Sequence, residues 1–483
     1  MTNLSGANLY NCAAVGRQGE SMDSPSSFPA YPAYKDSGVA WLGELPQHWR
    51  FGCLKHALIE LISGGTPESS NPSYWADGDG VPWVAISDMT KGLVINDTAK
   101  TITEAGLRSK GLRVIPAGGL LYSIYASIGK VAVLGVSAVT NQAILGLVVN
   151  SAVADQQFVR WWLVSLEGWV KTVSSSNTQD NLNAEKVRNL PSAFPSLTEQ
   201  TQIARFLDHE TARIDALIEE QQRLIELLKE KRQAEISYAV TKGLDPTVSM
   251  KDSGVEWLGE VPVHWEVKQL KHVVDPNTSI TYGIVQAGPE FEGGIPYIRT
   301  SDMSGAELPI SGYPLTSPEI DESYARSRVR PGDIVMSIRA SVGKCLPVPD
   351  ELKIANLTQG TAKISAGQGI TRNFLLAFLN AEATQNYFDL MAKGATFKEI
   401  TLDALRRTPV LLPPANEQIN IDQFVARHVG LLDETCKQAI QSVSLLQERR
   451  SALISAAVTG KIDVRGWQPP ARAQAPVLEA ETV

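Results

Sequence analysis

Cysteine is scarce, with four in 483 residues at positions 12, 53, 345 and 436 and no Cys-x-x-Cys pair. That scatter excludes a disulfide scaffold and a cysteine zinc cluster, and it suits a reducing compartment. Long apolar runs are missing too. Stretches such as Ala143-Ile-Leu-Gly-Leu-Val-Val149 fall far short of the ~18 residues a membrane helix needs. No basic segment leading into an apolar core opens the chain, so a cytoplasmic location without a membrane partner is expected. Positive charge is not in excess either: 44 Lys and Arg against 52 Asp and Glu leave a net charge of −8. Such a balance disfavours nonspecific coating of nucleic acid, but it permits reading through local basic patches. What is present is 43% apolar residues, and a length that fits about three domains.

The chain repeats itself. Lys35-Asp-Ser-Gly-Val-Ala-Trp-Leu-Gly-Glu-Leu-Pro-Gln-His-Trp49 returns as Lys251-Asp-Ser-Gly-Val-Glu-Trp-Leu-Gly-Glu-Val-Pro-Val-His-Trp265. Leu54-Lys-His56 returns as Leu270-Lys-His272, and Val81-Pro-Trp-Val-Ala-Ile-Ser-Asp-Met89 as Ile295-Pro-Tyr-Ile-Arg-Thr-Ser-Asp-Met303. Ser123-Ile-Tyr-Ala-Ser-Ile-Gly-Lys130 returns as Ser337-Ile-Arg-Ala-Ser-Val-Gly-Lys344. Pro195, Glu199-Gln200, Ile203 and Phe206 answer Pro413, Glu417-Gln418, Ile421 and Phe424, and Ala239-Val-Thr-Lys-Gly243 answers Ala457-Val-Thr-Gly-Lys461. These pairs keep their order at a nearly constant offset, so the chain is a tandem duplication.

Each copy has two parts. The first is rich in Gly, Pro and β-branched residues. Val131–Val136, Ala143–Val149 and Asp333–Ile338 read as strands, with helical stretches near 155–170 and 371–392. The second begins at a capping box, Ser196-Leu-Thr-Glu199, and runs on without Gly or Pro to Gly243. Its apolar stripe is Ile203, Leu207, Ile214, Leu217, Leu224 and Leu228; the other copy supplies Ile421, Val425, Leu432, Val443 and Leu446. A helix of ~40 residues is about 60 Å long, too long to hide such a stripe on one compact domain. Two of them can cover each other as a coiled coil.

The expected fold is therefore α+β: two homologous globular domains separated by two long helices that form an antiparallel coiled coil with pseudo-twofold symmetry. The expected segments are 1–30 as a disordered extension, 31–195 as the first domain and 196–243 as a central helix. A second domain at 244–413, a distal helix at 414–460 and a C-terminal tail at 461–483 complete the set. Two similar surfaces on a stiff spacer match the local twofold symmetry of DNA, whose dimeric readers grip half-sites about one turn apart. Because both surfaces share one chain, they are free to diverge.

At this point the residues resemble a known family. Gly64-Gly-Thr-Pro-Glu-Ser-Ser-Asn-Pro-Ser-Tyr-Trp75, followed by Gly80-Val-Pro-Trp-Val84 and Ser87-Asp-Met89, resembles the opening of a target-recognition domain in the specificity subunit of type I restriction–modification systems. The entry motif Tyr34–Trp49, the Pro-x-x-x-Glu-Gln entry to each long helix, and Lys231-Arg232 and Arg449-Arg450 ahead of Ala-Val-Thr are similar to that family as well. The resemblance implies two recognition domains reading a bipartite asymmetric site on double-stranded DNA, with the helices setting the gap. It also implies two modification subunits that bind S-adenosylmethionine and methylate adenine, and restriction/translocase subunits that use ATP and magnesium. No cofactor is expected on this chain. The second domain departs from the opening pattern, because Thr278-Ser-Ile-Thr-Tyr-Gly283 stands where Gly-Gly-Thr-Pro stood.

No catalytic residue is expected. Asn71-Pro-Ser-Tyr74 lacks the second Pro of an Asn-Pro-Pro-Tyr methyltransferase motif, and no Gly-rich S-adenosylmethionine turn is found. Ser-Ile-Gly-Lys130 and Ser-Val-Gly-Lys344 are incomplete as phosphate loops, with Val131 and Cys345 where Ser or Thr should hold magnesium. Asp333 with Glu351-Leu-Lys353 has nuclease-like spacing, but the first copy lacks it. His48/His264 and His56/His272 repeat without a ligand set and read as structural. Two rivals stay open: a self-sufficient methyltransferase or nuclease with duplicated recognition domains, and a coiled-coil scaffold without a nucleic-acid role.

Candidates for DNA contact are Thr66, Ser70, Lys91, Lys110 and Lys130, together with Lys100 and Arg108, in the first domain. Arg299, Arg326, Arg328, Arg330, Arg339 and Lys344 are those in the second. If extended, Arg326, Arg328 and Arg330 share one face as a phosphate-tracking stripe. Gln142, beside Asn141, has the chemistry to bond adenine, though a turn amide is the plainer role. Trp41, Trp49, Trp257 and Trp265 read as core anchors.

Overall fold

The computed structural model describes residues 28–175, 182–394 and 398–470. Two compact units emerge. One comprises residues up to Glu219 together with those from Ser444 onward, and the other is Glu220–Val443. Each unit holds one globular domain together with part of each long helix.

In the first unit a hairpin (Tyr34–Asp36 with Glu44–Pro46) precedes the domain. The strand Arg50–Cys53 pairs antiparallel with Pro191–Phe194, tying the chain's entry to its exit. Between them lies a five-stranded sheet in the order Leu58–Ser63, Ile144–Val149, Leu120–Ser123, Val131–Leu134, Val94–Ile95. A four-stranded sheet follows the order Val139–Thr140, Val81–Val84, Lys100–Ile102, Trp75–Ala76. Helices Gln156–Ser165 and Glu167–Ser175 complete the domain, where one longer helical stretch was expected.

The second unit repeats the plan. A hairpin (Met250–Asp252 with Glu260–Pro262) leads to Glu266–Gln269, paired with Pro409–Leu412. Its main sheet runs Thr281–Tyr282, Thr361–Ser365, Asp333–Ser337, Cys345–Pro347. All of Asp333–Ser337 is buried, as a strand covered on both faces must be, which is why Ile-Val-Met reads as an unbroken apolar run. Helices Arg372–Leu379 and Glu382–Met391 are separated at Asn380-Ala381.

The central helix is Leu197–Lys242 and the distal helix Ala415–Val458. Inside each unit the two run antiparallel, and equivalent residues of the two copies pin the register. Arg450 forks onto Asp215 (2.7 and 3.2 Å) in the first unit, and Arg232 bonds Asp433 (2.8 Å) in the second. The apolar stripe divides by burial. Ile203, Leu207 and Ile214 sit in the first domain's core with Leu453, Ile454, Ala457 and Val458 of the distal helix, and Leu446 packs against that core. Ile421 lies in the second domain's core, with Val425 against it. Leu217, Leu228, Leu432 and Val443 are half-buried. Leu224, expected in the seam, is 38% exposed. Full burial occurs where a domain adds a third layer, because two helices alone cover only part of each other's circumference. No described helix is long and apolar enough to cross a membrane.

The repeated motifs meet at a junction present in both units. In the first, the Glu199 carboxylate accepts from Trp49 Nε1 (3.0 Å) and Tyr31 Oη (2.7 Å) and lies 3.0 Å from His48 Nε2. In the second, Glu417 accepts from Trp265 Nε1 (2.9 Å) and lies 2.6 Å from His264 Nε2. Gln200 and Gln418 staple each long helix's start to the N-cap of helix Gln156–Ser165 or Arg372–Leu379, accepting from the amides of Asp155 and Thr371. Gly460 and Gly243, both at positive φ, close the other helix's end against Pro46 with Trp49, and Pro262 with Trp265. The expected capping box is therefore half formed. Ser196 Oγ accepts from the Glu199 amide, but the carboxylate serves the junction instead.

Parts of the expected tails pack into the first unit. Phe28 packs on Phe206, and Trp467 lies against Phe206 and His209. Ile462 and Val464 are buried, and the Asp463 amide donates to Pro29 O. Large apolar side chains at 28, 462, 464 and 467 give these segments a core to join, which their Pro, Ser and Ala content concealed. Residues 1–27 and 471–483, read as disordered extensions, lie outside the described residues.

Candidate nucleic-acid interface

In each domain three loops converge beside the ends of the sheet strands. In the first, Gly65 N donates to Thr140 O (2.8 Å), Asn141 N to Val84 O (3.0 Å) and Ile124 N to Ala143 O (2.8 Å). These bonds bring together the loop after Ser63, the turn at 141–143 and the turn at 124–129. Thr66 Oγ1 reaches Gln142 Oε1 at 2.5 Å across the first two. In the second domain Ile284 N donates to Leu357 O (2.6 Å), Thr358 N to Ile298 O (3.1 Å) and Ile338 N to Gly360 O (2.9 Å). The frame is the same.

Glycine is required at one corner of it. A Cβ on Gly64 would collide with the carbonyl oxygen of Asn141, and one on Gly283 with that of Leu357. Gly283 therefore fills the place of Gly64, although the motif around it has changed. The departure of the second domain lies in the side chains on either side of that glycine, Ser63 and Gly65 in the first copy against Tyr282 and Ile284 in the second.

The repeated octapeptide forms the third loop. Ser123 N bonds Lys130 O (3.0 Å) and Gly129 N bonds Ser123 O (3.0 Å); Ser337 N bonds Lys344 O and Gly343 N bonds Ser337 O, both at 2.9 Å. The serine hydroxyls turn inward, Ser123 Oγ to Ser127 O and Ser337 Oγ to Arg339 O. Ala126, Ser127 and Ala340 are the non-glycine residues with positive φ among the described residues. Each costs of order 1–3 kcal/mol and persists only where the surroundings over-determine it.

The expected contact residues do not all converge here. Thr66 lies on the first loop, and Ser70, bonded to Glu68, follows it. Lys110 is exposed where helix Glu104–Ser109 ends, and Arg108 pairs with Glu104. Lys100 covers the Trp75 ring, which stands edge-on to Trp83. Lys91 is drawn to buried Asp88, whose hydrogen bond raises the lysine's pKa, and Lys130 reaches Glu167 at 3.4 Å.

In the second domain the Arg326–Arg330 stripe does not form. Arg326 sits in a 3-10 turn, Ala325–Ser327, which breaks the alternation. Arg328 folds back onto Asp321 and Glu322, whose hydrogen bonds raise its pKa. Arg326 and Arg330 remain exposed. Arg299 is held by Asp302, and Lys344 donates to Ser304 O and Gly305 O. Arg339, on the octapeptide turn, lies 3.0 Å from Glu399.

Asp88 and Asp302 of the repeated Ser-Asp-Met accept from the amides of Ala85 and Arg299, so this motif caps a short helix. Asp333 accepts from Ser365 Oγ and neighbours Lys363, which occupies it structurally. Trp49 and Trp265 are fully buried, while Trp41 and Trp257 lie against Trp169 and Tyr387. Residues that pattern reading missed are Tyr125, Tyr282 and Gln359 on the loop edge. The repeated octapeptide carried the signal for Tyr125, but its Gly-Lys drew attention to phosphate binding.

The type I restriction modification DNA specificity domain model matches this chain twice, over residues 46–228 and 262–443, more than half its length. The EcoBI type I restriction enzyme specificity subunit of Escherichia coli is 26% identical over 81% of each chain. A putative counterpart, MjaX, from Methanocaldococcus jannaschii is 25% identical over 88% of this chain and 96% of that one. Among solved structures, one from a study of type I R-M complex assembly and conformational transition aligns with a TM-score of 0.62 at 19% identity, covering 86% of this chain and 98% of that one. The HsdS subunit from Thermoanaerobacter tengcongensis aligns with a TM-score of 0.50 at 16% identity over the same shares.

Proposed function

This chain belongs to the type I restriction–modification DNA specificity family, and from that premise we propose that it is the non-catalytic reader of its enzyme. Two recognition domains select a bipartite asymmetric site on double-stranded DNA, and partner subunits act on the choice. Two modification subunits carry S-adenosylmethionine and flip an adenine out of each half-site for methylation. Restriction/translocase subunits bring ATP and magnesium, and the complex works in the cytoplasm. This chain contributes no cofactor.

One observation carries the reading. The two domains keep the same three-loop frame, down to the equivalent Gly64 and Gly283, while several side chains presented on that frame differ, Tyr125 against Arg339 among them. A duplicated scaffold with diverged loops is what two half-site readers require, since base edges are distinguished by side chains and the frame only positions them. A self-sufficient methyltransferase would instead bind S-adenosylmethionine unaided.

The test is co-expression with the neighbouring modification subunits, followed by methylation mapping at base resolution. A bipartite motif with one modified adenine per strand is expected. Loss of methylation on omitting this chain supports the assignment; an unchanged methylation pattern without it defeats the assignment.

A further inference from the structure

We propose that the octapeptide turn presents the base-reading side chain of each domain, Tyr125 in the first and Arg339 in the second. This rests on the DNA-reading function above and names residues within it. Six of the eight positions are identical between copies, the differences being Tyr125/Arg339 and Ile128/Val342. The latter pair is conservative, and each member packs against its own domain's core. The one radical difference falls on a residue held out by the turn: Tyr125 is 41% exposed, and Arg339 is half-exposed beside Glu399.

The rest of the turn holds that position still. Ile124 and Ile338 plug the core on one side of it. Ala126 and Ala340, on the other side, are both in the left-handed region, where alanine has no preference of its own to be. Gly129 and Gly343, also at positive φ, let the second leg pass close to Glu167 and Gln385. A plain hairpin connection would not need strain at the same place in both copies. Rigid backbone behind a variable exposed side chain suits a probe, because a base contact demands fixed geometry.

The chemistry differs usefully. Arg339 can exchange its ion pair for the two acceptors of a guanine edge, and Tyr125 can stack or donate one hydrogen bond. The neighbouring turns add Gln142 and Gln359, equivalent amides in the two copies, within the same frame.

The experiment uses the full chain with its modification subunits, comparing wild type with Tyr125→Ala, Arg339→Ala and Arg339→Lys by genome-wide methylation mapping. Each alanine variant should relax the motif in one half-site only, with discrimination there falling about tenfold. Arg339→Lys keeps the charge but loses the fork, so it should relax the same half-site as Arg339→Ala and remains informative if the alanine protein fails to assemble. An unchanged motif in all three variants overturns the proposal. So does a uniform loss of methylation with an unchanged motif, which would mark phosphate contacts. If wild type itself methylates no bipartite sequence, the functional reading fails instead, and the two failures are thereby distinct.

Discussion

Replacing the junction glutamates should reveal how unequally the two copies depend on them. Glu199→Ala strands two buried donors, Trp49 Nε1 and Tyr31 Oη. Its side chain is only 5% exposed, so water cannot substitute. An unsatisfied buried donor costs about 1–3 kcal/mol, which places the loss near 4 kcal/mol for the pair. Glu417→Ala strands one buried donor, Trp265 Nε1, in a side-chain site that is 34% exposed, and should cost about 1–2 kcal/mol. A two-unit chain need not unfold in one step, so a melting temperature is the wrong readout. Hydrogen exchange at the amides of Trp49 and Trp265, which bond Pro46 O and Pro262 O, reports each junction separately. Exchange at Trp49 should accelerate by nearly three powers of ten in Glu199→Ala, and at Trp265 by about one in Glu417→Ala. Equal acceleration, or the reverse order, would refute the assignment of these carboxylates as acceptors for buried indoles.

Other outcomes follow from the same geometry. Gly283→Ala forces a Cβ into the Leu357 carbonyl, and the overpacking should destabilise the second domain by about 1–3 kcal/mol or more. Limited proteolysis should then nick that domain while sparing the first. Burial raises the Tyr31 and Tyr122 phenols, Tyr31 further through Glu199. As pH climbs past the ordinary tyrosine value of about 10, the unfolded chain releases protons that the folded one keeps, so stability falls with rising pH. Absorbance titration should find these two phenols protonated until the protein unfolds. A matched four-residue insertion in both long helices adds about 6 Å to each, and the preferred gap in methylated motifs should widen by a base pair or two if helix length is the ruler. Exchanging residues 50–195 for another family member's domain should change one half-site alone in the mapped motif.

In the second unit the long helices and the domain enclose a groove of about 1060 Å³, lined in part by Ala377 and Ala426. In the first unit the equivalent positions hold Trp161 and Asp208, with Arg160 stacked on the indole and bonded to the same aspartate. Trp161→Ala should therefore open a matching cavity at about 3–5 kcal/mol, measurable as faster exchange in helix Gln156–Ser165.

The duplication, the α+β class, the span of both long helices and the specificity-subunit family were legible in the residues themselves. These rest on order, period and composition, which are properties of the chain read along its length. Which parts of the stripe are buried was not, because burial of Ile203 or exposure of Leu224 depends on whether a third layer packs there. The purpose of Pro-x-x-x-Glu-Gln was equally hidden: its acceptors serve Trp49 and Trp265, some 150 residues away in the chain. The arginines at 326, 328 and 330 failed as a stripe because a 3-10 turn and two nearby carboxylates outcompete extension, a balance set by neighbours that folding brings in. The octapeptide repeat pairs Tyr125 with Arg339 in the letters alone, but that both stand exposed on strained turns was decided by folding, since φ angles and exposure are consequences of the packed backbone.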